Sequence, residues 1–277
     1  MAQDSIFVKL QNVDKRIIYT LLFLILLFPM FNPIGLPLPI TREVQSTFDY
    51  VEGLPSGSII MFASANAPGT MAELEPQSIA VLSHLFAKGH KVVFCPYAPE
   101  TVRFIDGYME FAISSGYQEG VNVMRLPYLA GGETLYAAMG QDIKSVYDMV
   151  PSSPLWDSIR SVRDFAAWVD ITGGEGQRWA MAHIGDVHNV PIISLITAVI
   201  LAVVQPYYTS GQFVGIVSGL SGAAEYEVLA RAPGKGAAGM DAQSLGHLLV
   251  IGFIALGNIA FFASRRPSRS SGPGGDN

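Results

Sequence analysis

The sequence predicts an α/β protein in which a Rossmann-like, doubly wound and mostly parallel sheet of about six strands is flanked by two transmembrane helices. Strand-like and helix-like segments alternate from residue 58 to residue 218, which is typical of parallel βαβ units. Long apolar segments without charge lie near both ends of the 277-residue chain. Only 14% of all residues are charged, against about 25% in an ordinary soluble domain.

The first apolar segment, residues 17–40, contains no formal charge. A bilayer is spanned by about 20 apolar residues, so the segment is long enough for an anchor. Its prolines at 29, 33, 37 and 39 confine regular helix to about residues 15–32. A cleaved signal peptide is the alternative, but no A-x-A-like cleavage site follows. We therefore predict a cytoplasmic segment at 1–16 and a retained transmembrane anchor at 17–41.

The second apolar segment, residues 244–264, is predicted as the other anchor, and two arginines follow it. Asn258 lies inside this segment. A polar side chain in hydrocarbon usually faces another helix, and Ala260 and Ser264 fit the small-xxx-small spacing of packed helices. These three residues are the predicted helix-packing positions. The alternative is a plain anchor in which the small residues have no partner.

A third apolar segment, at residues 190–204, is too short for a typical span and stops at Gln205 and Pro206. We predict a strand at 190–196 and a helix at about 198–208, with a third span as the alternative. Residues 231–243 are rich in glycine and alanine and are predicted as a flexible tether. Residues 265–277 are of low complexity and are predicted as a disordered basic tail.

Charge is distributed unevenly along the chain. Residues 1–41 and 242–277 hold six Lys or Arg against three Asp, whereas residues 42–241 hold 11 basic residues against 20 acids. Because basic residues next to spans stay in the cytoplasm, both termini are predicted to be cytoplasmic and the large domain extracytoplasmic. The acidic middle argues against nucleic acid as a partner, since phosphate binding needs a basic surface. The single cysteine, Cys95, excludes an internal disulfide.

The α/β domain is predicted at residues 42–230. Its strands are apolar runs of the kind that helices cover on both faces, and they lie at 58–64, 91–97, 121–128, 167–174, 190–196 and 212–218. Helical patterns lie at 76–89, 100–116, 132–150 and 175–188. Residues 219–230 are expected to turn away from the sheet.

Ligands of open parallel sheets bind at the carboxyl ends of the strands. The segments there are rich in small residues and read SANAPGT, PYAPE, LPYLAGGE, TGGEG and SGLSG. The candidate ligand-binding residues within or beside them are Asn66, Tyr97, Glu100, Tyr128, Glu133, Asp170, Gly174, Glu175, Ser221 and Gly222. Since the charges are mainly acidic, a small neutral or cationic ligand is favoured over a nucleotide. The alternative is that these glycines serve only the geometry of the turns.

No motif completes a catalytic or metal-binding constellation. GLSGA at 219–223 resembles a nucleophile elbow, but the only histidine after it, His247, belongs to the second anchor. HIGDVH places His183 and Asp186 together, and a metal would need a third ligand from elsewhere. The glycines around Lys235 do not form a phosphate-binding loop, and TGGEG departs from the dinucleotide fingerprint. The sequence therefore predicts no cofactor, no metal and no catalytic residue.

The function predicted from these features is that of a non-catalytic, membrane-anchored subunit. Its acidic domain would mediate protein assembly or bind a small ligand, and its spans would pack in the bilayer with other membrane subunits or with a second copy of the chain. Two alternatives stay open. One is an enzyme acting on a small molecule at the carboxyl edge of the sheet, and the other is a transporter-type subunit with a third span at 190–204.

Overall fold

Six parallel strands form one sheet in this computed structural model, which describes residues 14–264. The strands are Ile59–Ala65 (β1), Lys91–Pro96 (β2), Val123–Arg125 (β3), Ala167–Thr172 (β4), Ile192–Ile196 (β5) and Phe213–Ser218 (β6). Their order across the sheet is β3-β2-β1-β4-β5-β6, and every neighbouring pair is parallel. The chain therefore builds outward from β1 in one direction and then from β4 in the other, as the doubly wound prediction requires.

Helices lie on both faces of this sheet and at the two ends of the described chain. The α-helices are Lys15–Phe31 (α1), Arg42–Gly53 (α2), Met71–Ala87 (α3), Val102–Ser114 (α4), Glu133–Val146 (α5), Pro154–Ser158 (α6), Gly176–Ala180 (α7), Asp186–His188 (α8), Leu201–Thr209 (α9), Gly219–Leu229 (α10) and Lys235–Ser264 (α11). A π-helical turn, Met181–Gly185, joins α7 to α8, and a 3₁₀ turn, Ala198–Ile200, precedes α9.

The core consists of two layers because alternate strand residues point to opposite faces. Met61 and Trp168 belong to the layer beneath α5, α6, α7 and α9. Ile60 and Phe62 belong to the layer beneath α2, α3, α4 and α10. Both faces are apolar and buried, which explains why the strands read as continuous apolar runs rather than as alternating ones.

A close approach between α2 and β6 depends on one glycine. A Cβ atom at Gly215 would lie 2.1 Å from the Thr47 Oγ1 and 2.7 Å from the Thr47 Cα. Only a residue without a side chain lets the helix backbone reach the strand this closely. Helix α2 was not among the predicted elements, although Val44, Thr47 and Val51 form its buried side.

Several predicted segments differ from the observed ones. The third strand covers residues 123–125 rather than 121–128. Residues 219–229 form a helix that packs against α3, where the Gln77 Nε2 donates to the carbonyl oxygen of Gly219. The predicted tether is helical from Lys235 onward because its alanines are strong helix formers and α10 supplies partners for its first N–H groups. The segment 190–208 is a strand followed by a helix, as predicted.

Among residues 14–264, those up to Ile34 and those from Asp241 onward form one compact unit, and Gly35–Met240 form the other. In the first unit, a Cβ atom at Gly246 would lie 3.1 Å from the Leu26 Cδ2, so α1 and α11 pack together there. The backbone N–H of Ile34 donates to the Asp241 Oδ2 at 2.7 Å. The predicted segment 1–16 lies mostly, and the predicted tail 265–277 entirely, outside the described residues.

Among the described residues, one helix is long and apolar enough to cross a membrane. It covers Lys235–Phe262, and its most apolar window of 18 residues has a mean hydropathy of 2.1 and is only 11% buried. Helix α1 has 17 residues, which gives a length of about 26 Å against a hydrocarbon core of about 30 Å. One of the two predicted membrane-length helices is therefore found, because α1 ends at Phe31 and the prolines from residue 33 onward keep the following segment extended.

Candidate functional site

The natural place for a site is the carboxyl edge between β1 and β4. The chain leaves β1 toward one side of the sheet and leaves β4 toward the other, so the loops after these strands separate and leave a crevice. A cleft of about 380 Å³ lies there. It is lined by Ala65, Ala67, Thr70, Tyr97, Ala98, Glu100, Gly132, Thr172, Gly173, Gly174, Glu175, Gly176 and Trp179. These residues are called the β1/β4 cleft below.

A buried carboxylate, Asp170, lies in strand β4 behind the cleft and is fully inaccessible to solvent. The Tyr97 hydroxyl donates to its Oδ1 at 3.0 Å, and the Tyr136 hydroxyl donates to its Oδ2. Burial disfavours the charged form and raises the pKa of Asp170 to about 7, although the two tyrosine hydroxyls act in the opposite direction. Asp170 therefore changes its charge near neutral pH, where an ordinary aspartate is always ionised.

The two tyrosines are held in the same apolar surroundings. Burial raises the pKa of Tyr97 and of Tyr136 well above the usual value, and the neighbouring carboxylate of Asp170 adds to the effect. Their rings meet edge to face at 5.2 Å between centroids. Both phenols thus remain protonated donors, and Tyr97 connects the carboxylate to the cleft that it lines.

The cleft depends on glycine where α7 begins. A Cβ atom at Gly176 would lie 1.9 Å from the Tyr97 hydroxyl oxygen and 2.9 Å from the Asp170 Oδ1. At Gly174 the same atom would meet only the Thr172 Oγ1, at an ordinary 3.6 Å. The TGGEG segment therefore uses its last glycine to bring α7 against the buried carboxylate, and Gly174 lies exposed at the rim.

An aromatic wall and acidic rim complete the cleft. The half-buried Trp179 ring lies 6.3 Å from the Tyr97 ring and packs over Gly132, whose φ of +50° is a conformation that favours glycine. Glu100 and Glu175 are exposed at the rim. Arg178 is paired with Glu175 at 2.6 Å, and no basic residue lines the cleft among the described residues.

Buried polar atoms without a hydrogen-bond partner are concentrated at this edge of the described structure. They include the Asn66 Oδ1 after β1, the Gln177 Oε1 in α7 and the Thr197 Oγ1 after β5. Others lie elsewhere, at His90 and at the Trp168 Nε1, so these atoms do not by themselves mark a site.

The ten predicted ligand-binding residues fall in several places. Tyr97, Glu100, Gly174 and Glu175 line the β1/β4 cleft, and Asn66 and Asp170 lie buried beside or behind it. Glu133 follows the cleft residue Gly132, and its carboxylate lies 3.1 Å from the His183 Nε2. Tyr128 lines a separate cleft of about 630 Å³. Ser221 and Gly222 line a third cleft, of about 400 Å³, between α2, α9 and α10.

Sequence reasoning missed Tyr136, Gly176 and Trp179. Gly176 and Trp179 could have been found, because the first turn after a strand end overlies the carboxyl edge of the sheet. Tyr136 is separated from Asp170 by 34 residues, and no local pattern connects them. Within residues 14–264, no three His, Cys, Asp or Glu side chains come together as metal ligands.

The fold and site thus define a Rossmann-like α/β protein with a small cleft at the strand switch point and a helix long enough to cross a membrane. No protein-family model matches the chain, and no curated protein or solved structure is significantly similar to it. A fold of this kind supports many activities, so the function has to be argued from the site.

Proposed function

We propose that this protein is a membrane-anchored subunit whose α/β domain binds a small neutral or cationic ligand in the β1/β4 cleft. The observation that carries the proposal is the lining of the cleft. Trp179 and Tyr97 present aromatic surface, Glu100 places a carboxylate at the rim, and the second rim carboxylate, that of Glu175, is paired with the guanidinium of Arg178. A cation gains from both aromatic faces and carboxylates.

The size of the cleft restricts the ligand. About 380 Å³ lies near the lower end of the range for sites that hold drug-sized molecules. A molecule of a few to about ten heavy atoms, such as a primary or quaternary amine, matches this volume and this lining. A nucleotide matches less well, because its phosphates would face the carboxylate of Glu100 and no basic residue is among the described residues that line the cleft.

Binding is favoured over catalysis by the position of Asp170. Both of its carboxylate oxygens accept tyrosine hydroxyls, and the residue has no exposed surface. The enzyme alternative rests on one observation, which is that the pKa of Asp170 is raised to about 7. Tyr97 could then pass a proton between a molecule in the cleft and Asp170, as acid–base catalysis near neutral pH requires.

The membrane part of the proposal is supported by charge and by exposure. Helix α11 is apolar and mostly uncovered, and the uncharged residues 17–40 would place α1 in the same bilayer. The basic residues beyond both segments favour cytoplasmic termini and an extracytoplasmic domain. Asn258 is exposed on α11, so it is available to a neighbouring membrane helix, whereas Ala260 is already buried and Ser264 ends the helix.

The ligand proposal is tested by thermal denaturation of the full chain in detergent with choline and with its neutral isostere, 3,3-dimethylbutanol. Choline is expected to raise the Tm more than the neutral compound. Trp179→Ala and Glu100→Gln should each reduce the shift several-fold. Glu110→Gln, on an exposed face of α4 outside the cleft, is the matched control and should leave it unchanged.

Two results would count against this assignment. If a panel of small amines and neutral isosteres leaves the Tm of the wild-type protein unchanged, the cleft is not a site for this class of ligand. If choline acts equally on the Glu100→Gln, Trp179→Ala and Glu110→Gln variants, it binds elsewhere. Turnover of a bound amine that disappears in Tyr97→Phe would instead support the enzyme alternative.

A further inference from the structure

An apolar stripe is exposed on the helical segment that follows β5. No charged residue occurs from Asn189 to Ala224, and Ala198, Val199, Ala202, Val203 and Pro206 all lie exposed along one side of this segment. Val199 is 84% exposed and Val203 is 59% exposed. The spacing of these residues is that of one face of a helix, and the face is called the α9 stripe below.

The far end of α9 is fixed to the first turn of α2, where the chain enters the α/β unit. The Tyr208 hydroxyl lies 2.7 Å from the Ser46 Oγ and donates to the carbonyl oxygen of Arg42 at 3.2 Å. The Gln205 Nε2 donates to the Glu43 Oε1 at 2.5 Å. Helix α2 begins only eight residues after Ile34, so the chain reaches the end of α9 directly from the predicted apolar segment 17–40.

The near end of the stripe lies beside the place where the chain leaves the same unit. A Cβ atom at Gly219 would be 2.8 Å from the Ala198 Cβ, and one at Gly239 would be 2.7 Å from the Leu220 Cδ2. Gly239 belongs to the first turns of α11, which continues without interruption as the membrane-length helix. Two consecutive residues, Gly219 and Leu220, thus connect Ala198 to the start of that helix.

We infer that the α9 stripe lies on the lipid surface, with Val199 and Val203 in the boundary between headgroups and acyl chains. The inference rests on the membrane anchoring proposed above. Interfacial helices bury an apolar face of this kind. A protein partner is less well matched, because the stripe lacks the aromatic and arginine anchors that dominate protein interfaces.

The test uses the full chain reconstituted in phosphatidylcholine vesicles. Val199→Cys, Val203→Cys and the control Val187→Cys are each labelled with the fluorophore NBD. Val187 is 58% exposed, nearly the same as Val203, but it precedes β5 at the opposite edge of the sheet. Cys95 is fully buried, and wild-type protein treated with the same reagent gives the background.

NBD at positions 199 and 203 is expected to emit at shorter wavelength than at 187. Lipids with a doxyl group high on the acyl chain should quench it several-fold more strongly at these two positions. Equal quenching at all three positions would overturn the inference. Blue-shifted emission without lipid quenching would also overturn it and would assign the stripe to a protein partner.

Flotation of the vesicles separates this inference from the proposed function. If the wild-type chain does not float with the vesicles, the proposed anchoring fails and the lipid contact fails with it. If the chain floats and resists carbonate extraction, but positions 199 and 203 are not quenched, only the lipid contact of the stripe is overturned. Unchanged circular dichroism and Tm of the labelled variants confirm that the valine substitutions preserve the fold.

Discussion

Asp170 is buried in the central sheet and is also the titratable group next to the β1/β4 cleft. It occupies an interior position of a strand whose other residues are all buried, and its carboxylate is held by two tyrosine hydroxyls rather than by a cation. Burying a carboxylate without a counter-ion costs free energy, so the protein shifts the protonation equilibrium instead. The result is a titratable group next to the β1/β4 cleft with a pKa of about 7.

The pKa of Asp170 predicts how stability depends on pH. Below about pH 4 the group is protonated in both the folded and the unfolded chain, whereas between about pH 4 and 7 only the folded chain retains the proton. The free energy of unfolding should therefore fall as pH rises through this window, by up to about 1.4 kcal/mol per pH unit. Asp170→Asn should show a flatter dependence in urea unfolding between pH 4.5 and 7.5, measured on the full chain in detergent.

The exposed Asp148 provides the control, because Asp148→Asn should keep the slope of the wild-type protein. Identical slopes for wild-type and Asp170→Asn would mean that Asp170 is ionised in the folded protein across this range. The cleft would then hold a permanent buried charge, and the enzyme alternative would lose its supporting observation.

Gly176 and Gly174 allow the same substitution, glycine to alanine, to be compared at a tightly packed position and at an open one. Gly176→Ala should destabilise the domain by about 1–3 kcal/mol, the usual cost of overpacking, because its Cβ would overlap the Tyr97 hydroxyl. Gly174→Ala should cost well under 1 kcal/mol, since its Cβ meets only Thr172 at 3.6 Å. Urea denaturation of both variants measures the difference, and equal losses would show that α7 can move away from Asp170.

At the scale of elements, α10 connects the two chain segments that enter and leave the α/β unit. Glu225 accepts the backbone N–H and the hydroxyl of Thr41, at 2.8 and 2.6 Å. Glu227 accepts three backbone N–H groups at the start of α11, from Gly234, Gly236 and Ala237 at 2.8–2.9 Å. One short helix thus holds both connections through two nearly buried carboxylates.

This arrangement predicts that the two acids act on different segments. Glu227→Gln removes a charged acceptor from the first turn of α11, where charge-assisted bonds of this kind contribute about 1–3 kcal/mol. Hydrogen exchange should therefore become faster at residues 234–240. Glu225→Gln should instead accelerate exchange around Thr41 and leave residues 234–240 protected. Faster exchange across the whole domain in either variant would contradict a local role and indicate a general loss of stability.

At the scale of the molecule, the distribution of charge predicts the membrane topology. Basic residues outnumber acids on the terminal segments, and acids outnumber basic residues in the middle. We therefore expect the α/β unit on the outer side of the membrane and both termini in the cytoplasm. The exposed α9 stripe and the acidic rim of the cleft would then both act on the extracytoplasmic side.

Cysteine accessibility in intact cells measures this topology. In a Cys95→Ser background, Glu119→Cys should react with a membrane-impermeant maleimide, and Asn277→Cys should react only after the membrane is permeabilised. Labelling of residue 277 with protection of residue 119 would reverse the orientation. Labelling of both in intact cells would place the two positions on the same, outer side, and α11 would then not cross the bilayer with its end in the cytoplasm.

The sequence by itself determined the elements that depend on local pattern. Continuous apolar runs located all six strands because a strand covered on both faces has no polar side. The long apolar segment after residue 244 predicted a membrane-length helix for the same reason, since its character depends on composition alone. The inference from the acidic middle of the chain against nucleic acid stays a prediction.

The tertiary structure decided the composition of the site and the end of each apolar segment. Tyr136 reaches Asp170 from a distant helix, and Gly176 matters only because Tyr97 lies against it. The composition of residues 231–243 predicts a flexible tether. The segment is instead helical from Lys235, because Glu227 supplies acceptors for the first N–H groups of α11. Burial, hydrogen-bond pairing and pKa are set by which segments pack together, and that packing joins residues that are far apart in the chain.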